Sequence, residues 1–148
     1  MPSFRVLHAD HTAFVVSSLD HAVTFWTEAL GAELLSTGAL SGAVLENITG
    51  AVGRTARKAL LTIAGQKIEL LEYSGPTPAT PARQPYESGA AHIALNVSSL
   101  DAAIERMSHY GWRAQGTLAG WEAGPHIPRV MYMVGPDGAT IELIEQLA

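Results

Sequence analysis

The sequence predicts an α+β fold built from two copies of one strand–helix–three-strand unit, and three observations predict it. The segment HTAFVVSSLD, His11 to Asp20, is answered by HIALNVSSLD, His92 to Asp101. The segment GQKIELLE, Gly65 to Glu72, is answered by GATIELIE, Gly138 to Glu145. Within each copy the apolar spacing passes from a period of two to helical spacing and back, which marks a strand, a helix and further strands. A repeat of about 75 to 80 residues thus spans almost the whole chain.

Each element follows from local pattern. Alternation in residues 11–16 puts His11, Ala13 and Val15 on one strand face and Thr12, Phe14 and Val16 on the other. Ser17 with Asp20 three residues later has the spacing of a capping box and predicts a helix start. Leu19, Ala22, Val23, Trp26 and Leu30 supply the apolar stripe, and Gly31 suits a left-handed stop. In the second copy Ser98 to Asp101 is the start, Leu100, Ala103, Ile104 and Met107 the stripe, and Gly111 the stop.

Three strands are then expected in each copy. They are residues 43–48, 59–64 and 66–73 in the first, and 113–118, 130–134 and 139–145 in the second, with Gly135-Pro136-Asp137-Gly138 as turn. The first module is read as 1–73 and the second as 90–148, joined by a Pro-rich linker at 74–89 within one compact domain. Loops at 50–58 and 119–128 fall at equivalent places and are expected to border a site.

Composition narrows the function. The chain has 148 residues, 47% of them hydrophobic, so it can bury a real core. Only 16% are charged and the net charge is −5, which argues against a nucleic-acid partner. Absence of cysteine restricts any metal to nitrogen and oxygen ligands. Neither a signal-peptide pattern nor a long apolar run is present, so a cytoplasmic protein without membrane association is expected.

Strand parity selects the chemistry-bearing residues. Ile68 and Leu70 share one face and Glu69 the other; Ile141 and Leu143 likewise oppose Glu142, and Ile93, Leu95 and Val97 oppose His92. The aliphatic face wants the helices. His11, Glu69, His92 and Glu142 therefore belong to an open, concave face, where two imidazoles and two carboxylates form a donor set for Zn, Ni, Co, Mn or Fe(II). His8 has no counterpart and lies on the other parity, while His21, His109 and His126 read as surface or loop residues. Glu72 and Glu145 also repeat, but parity places them with the aliphatics as solvated strand-end carboxylates. Trp26 reads as helix core, and Trp121 as a lid or anchor in its Gly-rich loop.

The segments HTAFVVSSLDHAVTFWTEALGAELL, HIALNVSSLD, KIELLEY and GPDGATIELIE resemble the vicinal oxygen chelate superfamily, which includes glyoxalase I, methylmalonyl-CoA epimerase, extradiol dioxygenases and antibiotic-resistance proteins. The resemblance implies paired βαβββ modules whose mixed sheets form a cup, with helices on the convex face. It also implies a divalent metal held at His11, Glu69, His92 and Glu142. GPDG stands where the family more often has Asp-Pro-Asp-Gly, a departure expected to affect only the turn.

The full His/Glu/His/Glu set looks like glyoxalase I; ring-cleaving dioxygenases carry one carboxylate fewer, and the epimerases generally have glutamine where Glu69 stands. The expected activity is a metal-dependent lyase or isomerase of glyoxalase or epimerase type, moving a proton beside a carbonyl through an enediolate. Glu142 is the expected base, alternating with Glu69. Glu46 is a second candidate base by resemblance to the epimerases. Trp121, Arg129 and Tyr132 are candidate substrate contacts, and Arg54, Arg57, Lys58 and Arg129 would hold an anionic tail or serve as surface charge. The substrate class is a small molecule with vicinal oxygens or a thioester, and a homodimer is expected because exposed sheet edges need covering. The alternatives are an Fe(II) ring-cleaving dioxygenase and a non-catalytic antibiotic binder, the latter kept open by Trp121, Tyr86 and Tyr132.

Overall fold

The computed structural model describes residues 4–75, 83–118 and 128–146. The chain divides into two compact units, Met1–Thr77 and Pro78–Ala148, and each is a four-stranded sheet with its own helical layer. The first contains β1 (Thr12–Val15), α1 (Leu19–Thr24), β2 (Glu33–Ser41), α2 (Gly42–Thr49), β3 (Thr55–Ile63) and β4 (Gln66–Ser74). The second contains β5 (His92–Val97), α3 (Leu100–Ser108), β6 (Arg113–Ala114), β7 (Val130–Val134) and β8 (Thr140–Glu145).

Strand order is β1-β4-β3-β2 in one sheet and β5-β8-β7-β6 in the other. In both, the first strand runs parallel to the last, and the remaining neighbours are antiparallel. The two sheets share one topology, as a duplicated mixed α+β module requires. A helix must return the chain to the sheet between strands, and its apolar stripe has to be buried against them.

That burial separates the two sheet faces. Ala59, Leu61, Ile68 and Leu70 are fully buried together with Leu19, Phe25 and Trp26, and α1 lies against β3 and β4. Met133, Ile141 and Leu143 are fully buried in the second sheet, with Leu100 and Met107 of α3. The opposite parity carries Glu69 in the first sheet and His92 and Glu142 in the second.

Both helix starts differ from the expected capping box. Ser18 and Ser99, one residue later than expected, are the N-caps, and their hydroxyl oxygens accept from the backbone N–H groups of His21 and Ala102. The reciprocal acid is not local. Glu72 accepts from the Leu19 N–H and Glu145 from the Leu100 N–H, at 3.0 Å for the latter. These carboxylates are therefore helix caps and not solvated strand ends. Asp20 and Asp101, freed from the backbone, bind arginines instead: Arg57 Nη2 donates to Asp20 at 2.8 Å and Arg129 Nη2 to Asp101 at 3.0 Å.

The first helix also changes pitch. Residues Phe25–Ala29 form a π-helical turn, where the Thr24 and Thr27 hydroxyls donate back to the carbonyls of Asp20 and Val23. The wider turn re-phases the stripe and brings Phe25 and Trp26 inward together, in a T-shaped contact with ring centroids 5.8 Å apart. Gly31, at φ +76°, ends the helical run as expected.

Three expected elements are corrected. Residues 43–48 are not a strand: they lie in α2, bracketed by Gly42 and Gly50, both left-handed, with the Gly50 N–H bonded to the Glu46 carbonyl. A short apolar run does not reveal its period, and the glycines at both ends favour a short helix. The strand in that region is instead β2, exposed along almost its whole length and carrying a register shift at Leu35, so burial leaves no alternation to read. The expected loop at 50–58 stops before Thr55, where β3 begins. In the second module only Arg113–Ala114 of the expected strand 113–118 pairs with β7. The expected loop at 119–128 falls, apart from Pro128, outside the described residues.

Gly135 reaches beyond its turn. A Cβ placed there would meet three atoms of the buried Trp112 indole at 2.8, 2.9 and 3.0 Å, so only glycine lets this ring lie against the backbone. The departure from Asp-Pro-Asp-Gly is thus coupled to Trp112, which corrects its reading as a turn variation alone.

Candidate metal-binding half-sites

Parallel pairing of first and last strand builds the same pair of donors twice. Ala13 is the register partner of Glu69, and Ala94 of Glu142; a histidine stands two residues before each alanine. Two residues along a strand return to the same face, so each His shares a face with a Glu one strand away. His11 Nε2 lies 3.7 Å from Glu69 Oε1, and His92 Nε2 lies 3.1 Å from Glu142 Oε2. The histidines are about one-third exposed, at 35% and 36%, and the carboxylates less so, at 16% and 20%. Each pair is thus held by the sheet and open to solvent on the imidazole side.

These spacings suit a metal. Two ligand atoms at about 2.1 Å from one ion stand about 3.0 Å apart at a right angle and about 3.4 Å apart at the tetrahedral angle. The His92–Glu142 spacing falls between those values. The His11–Glu69 spacing exceeds the larger by about 0.3 Å, which a small side-chain rotation removes. Among the described residues no module gathers three or more donors, so each offers a half-set of one imidazole and one carboxylate.

The surroundings of the two pairs differ. His11 Nδ1 is 2.8 Å from Asp10 Oδ1, a contact that orients the ring with Nε2 towards Glu69. The Asp10 carboxyl is held below the usual carboxylate range, chiefly by that hydrogen bond and then by the Lys67 ammonium. Lys58 Nζ lies 3.6 Å from Glu69 Oε2. In the second module Tyr132 is the register partner of Glu142, and its ring centroid is 4.9 Å from that of His92. Tyr132 therefore borders the second pair, where it was sought as a substrate contact.

Other candidates sit elsewhere. Arg129 is on the helix-covered face, forked onto Glu145 at 2.8 and 2.9 Å and also bonded to Asp101; the guanidinium serves the α3 start and does not face the His92–Glu142 pair. Arg57 repeats this arrangement with Asp20 and Glu72. Glu46 lies on α2, and its Oε1 accepts from the Gly53 N–H at 3.0 Å, closing the loop after the helix. Trp121 and His126 lie outside the described residues. Tyr86 is 82% exposed, and His8, His21 and His109 are exposed as well.

Sequence reasoning missed Asp10 as the partner of His11, and Glu72 and Glu145 as caps. A signal for the caps existed: these two glutamates repeat as strictly as Glu69 and Glu142. Their pull on pH dependence is readable. The Arg129 hydrogen bonds, and then the Leu100 N–H, lower the Glu145 pKa from 4.5 to about 2. A depressed carboxyl contributes stability that is complete above its unfolded pKa and is lost as pH falls towards the folded one. Glu145→Gln is accordingly expected to flatten the fall in urea midpoint between about pH 4.5 and 2. An unaltered slope there would count against the cap.

A duplicated βαβββ protein with one His–Glu pair on the open face of each sheet is a defined structural class. Residues 8–143 match the Glyoxalase/Bleomycin resistance protein/Dioxygenase superfamily. The chain belongs to that superfamily. It is 33% identical over 140 residues, 90% of this chain and 76% of the relative, to a 2-epi-5-epi-valiolone epimerase of an Actinomyces species. Among solved structures, a glyoxalase family protein from Bacillus cereus matches with a TM-score of 0.84 and 24% identity, over 100% of this chain and 99% of that one. Fosfomycin resistance protein FosX from Listeria monocytogenes, complexed with Mn(II) and sulfate, matches with a TM-score of 0.62 and 20% identity, over 96% and 94% of the two chains. Among the described residues no helix is long and apolar enough to cross a membrane.

Proposed function

We propose that the protein is a divalent-metal-dependent epimerase or closely related isomerase that moves a proton on a carbon beside a carbonyl. The observation that carries this reading is the twice-built His–Glu pair, His11 with Glu69 and His92 with Glu142, at metal-compatible spacing. The relation to an epimerase at 33% identity supports the reaction class, and the Mn(II) held by FosX, a fold relative, supports a divalent ion.

His11 with Glu69, and His92 with Glu142, are the residues that would hold a divalent ion, each pair offering one imidazole and one carboxylate. A bound divalent ion supplies Lewis acidity at the carbonyl oxygen, where negative charge develops as the proton leaves. Glu142 is the general base: its carboxylate accepts the proton from the carbon, and the bonding pair passes towards the carbonyl. Glu69 is the second acid–base group: protonated from solvent, it gives that proton to the opposite side of the carbon while Glu142 releases its own to water, which inverts the centre. Tyr132, beside His92, packs against the substrate. The substrate class is a small hydroxylated carbonyl compound whose vicinal oxygens can chelate the ion.

The test is metal-dependent stability. At Mn(II) concentrations about 100-fold above Kd, binding contributes about 2.7 kcal/mol, which raises the midpoint of a chain this size by about 5–10 °C. Chelator should reverse the rise, and His11→Ala and His92→Ala should each abolish it. Equal unfolding temperatures with Mn(II) and with chelator would sink the reading.

A further inference from the structure

The duplicated site is unequal, and the inequality lies behind the donors. In the first module both donors are held from outside the pair: Asp10 takes Nδ1 of His11, and the Lys58 ammonium faces Oε2 of Glu69, the oxygen not turned to His11. In the second module the equivalent places are Ala91, one residue before His92, and Val130, which pairs with Ile144 as Lys58 pairs with Leu71. Neither alanine nor valine can hold a polar partner. Among the described residues the only ion pair of Glu142 is the one with His92.

The Lys58 side chain follows a prepared path. Its register partner on β2 is Gly38, and a Cβ there would lie 3.5 Å from Lys58 Cε and 3.7 Å from Cγ, so the aliphatic stem runs across a strand position without a side chain. On β3 it has the parity of Leu60, the register partner of Glu69, which places it on the His–Glu face. Arg57, its neighbour, points to the other face and is taken by Asp20 and Glu72. Lysine at 58 and arginine at 57 therefore do different work, although the sequence shows them as one basic cluster.

We propose that Lys58 is a positioning residue for the metal site, holding the outer oxygen of Glu69 so that Oε1 is presented beside His11 Nε2. With Asp10 acting on His11, it makes the His11–Glu69 pair of the first module preorganised. The second module, without such partners, leaves Glu142 adjustable, which suits the carboxylate that takes the proton from the carbon. The inference rests on the metal-binding reading above. Outer partners of metal ligands contribute through the orientation they impose, and removing one typically costs 10–100-fold in metal affinity.

A second effect has the opposite sign. An ammonium near a cation site repels the cation, so if Lys58 only added charge, removing it would tighten binding. The sign of the change decides between orientation and charge.

The experiment titrates Mn(II) alone onto the full chain and follows free Mn(II) by electron paramagnetic resonance, with metal-free thermal unfolding as the folding control. Lys58→Met is expected to weaken Mn(II) binding about 10–100-fold with the metal-free midpoint little changed. Lys58→Arg should restore binding to within about threefold of the parent, because a guanidinium donates to the same oxygen. Asp10→Asn provides a second variant that does not touch β3, and it should weaken binding in the same direction. Unchanged or tighter binding in Lys58→Met overturns the proposal while the parent's binding leaves the metal-binding reading standing. Failure of the parent chain to bind Mn(II) overturns both.

Discussion

Glu142→Gln is expected to slow exchange of the substrate's carbon-bound proton with solvent about 10²–10⁴-fold, the usual contribution of a positioned general base. At 1.36 kcal/mol per decade this corresponds to a barrier higher by about 3–5 kcal/mol. The amide is nearly isosteric with the carboxylate and can still offer an oxygen beside His92, so geometry is largely kept while the proton acceptor is lost. The measurement is deuterium uptake in D₂O at saturating Mn(II), with 2-epi-5-epi-valiolone, the substrate named for the Actinomyces relative, as the first probe. Saturating metal matters because the variant also changes a ligand. A rate equal to the parent's at full metal loading would remove Glu142 from the role of base.

Leu143→Ala is expected to have the largest effect on stability. Leu143 is fully buried on the helix-covered face, next to Met131 on β7 and Leu95 on β5 in the register of the second sheet. Truncating a buried leucine removes its transfer free energy and leaves a cavity that close-packed neighbours fill only partly, at a cost of about 2–5 kcal/mol. That is a large share of the roughly 5–15 kcal/mol that holds a typical domain folded. Urea midpoints by circular dichroism should fall by about 1–2.5 M for a slope near 2 kcal/mol per molar. Leu34, 42% exposed on β2, is the control: Leu34→Ala should stay within about 1 kcal/mol of the parent. Similar losses for both variants would contradict the difference in burial between the two leucines.

The duplication, the strand–helix grammar of each copy and the face of each donor were legible in the chain. His11 and Glu69 are far apart in sequence, yet parity alone puts them opposite the aliphatic residues that must meet a helix. A side-chain period of two has no third option. Register then does the rest, because the parallel pairing of β1 with β4 and of β5 with β8 sets the histidine and the glutamate at the same offset in both modules.

Only the tertiary structure decided which partners the polar groups take. Glu72 and Glu145 reach helix starts 53 and 45 residues away, and no local pattern distinguishes such a cap from a solvated carboxylate. Arg129, legible only as a cation, is committed to Asp101 and Glu145, while Lys58 and Arg57, adjacent in sequence, lie on opposite faces. Residues 43–48 show the same limit for backbone structure, since a short apolar run between glycines satisfies either period until its neighbours are known. Sequence by itself determined the module and the face each donor occupies, because periodicity is a property of the chain. The structure determined which of those groups hold one another, because hydrogen bonds and ion pairs form between segments that only folding brings together.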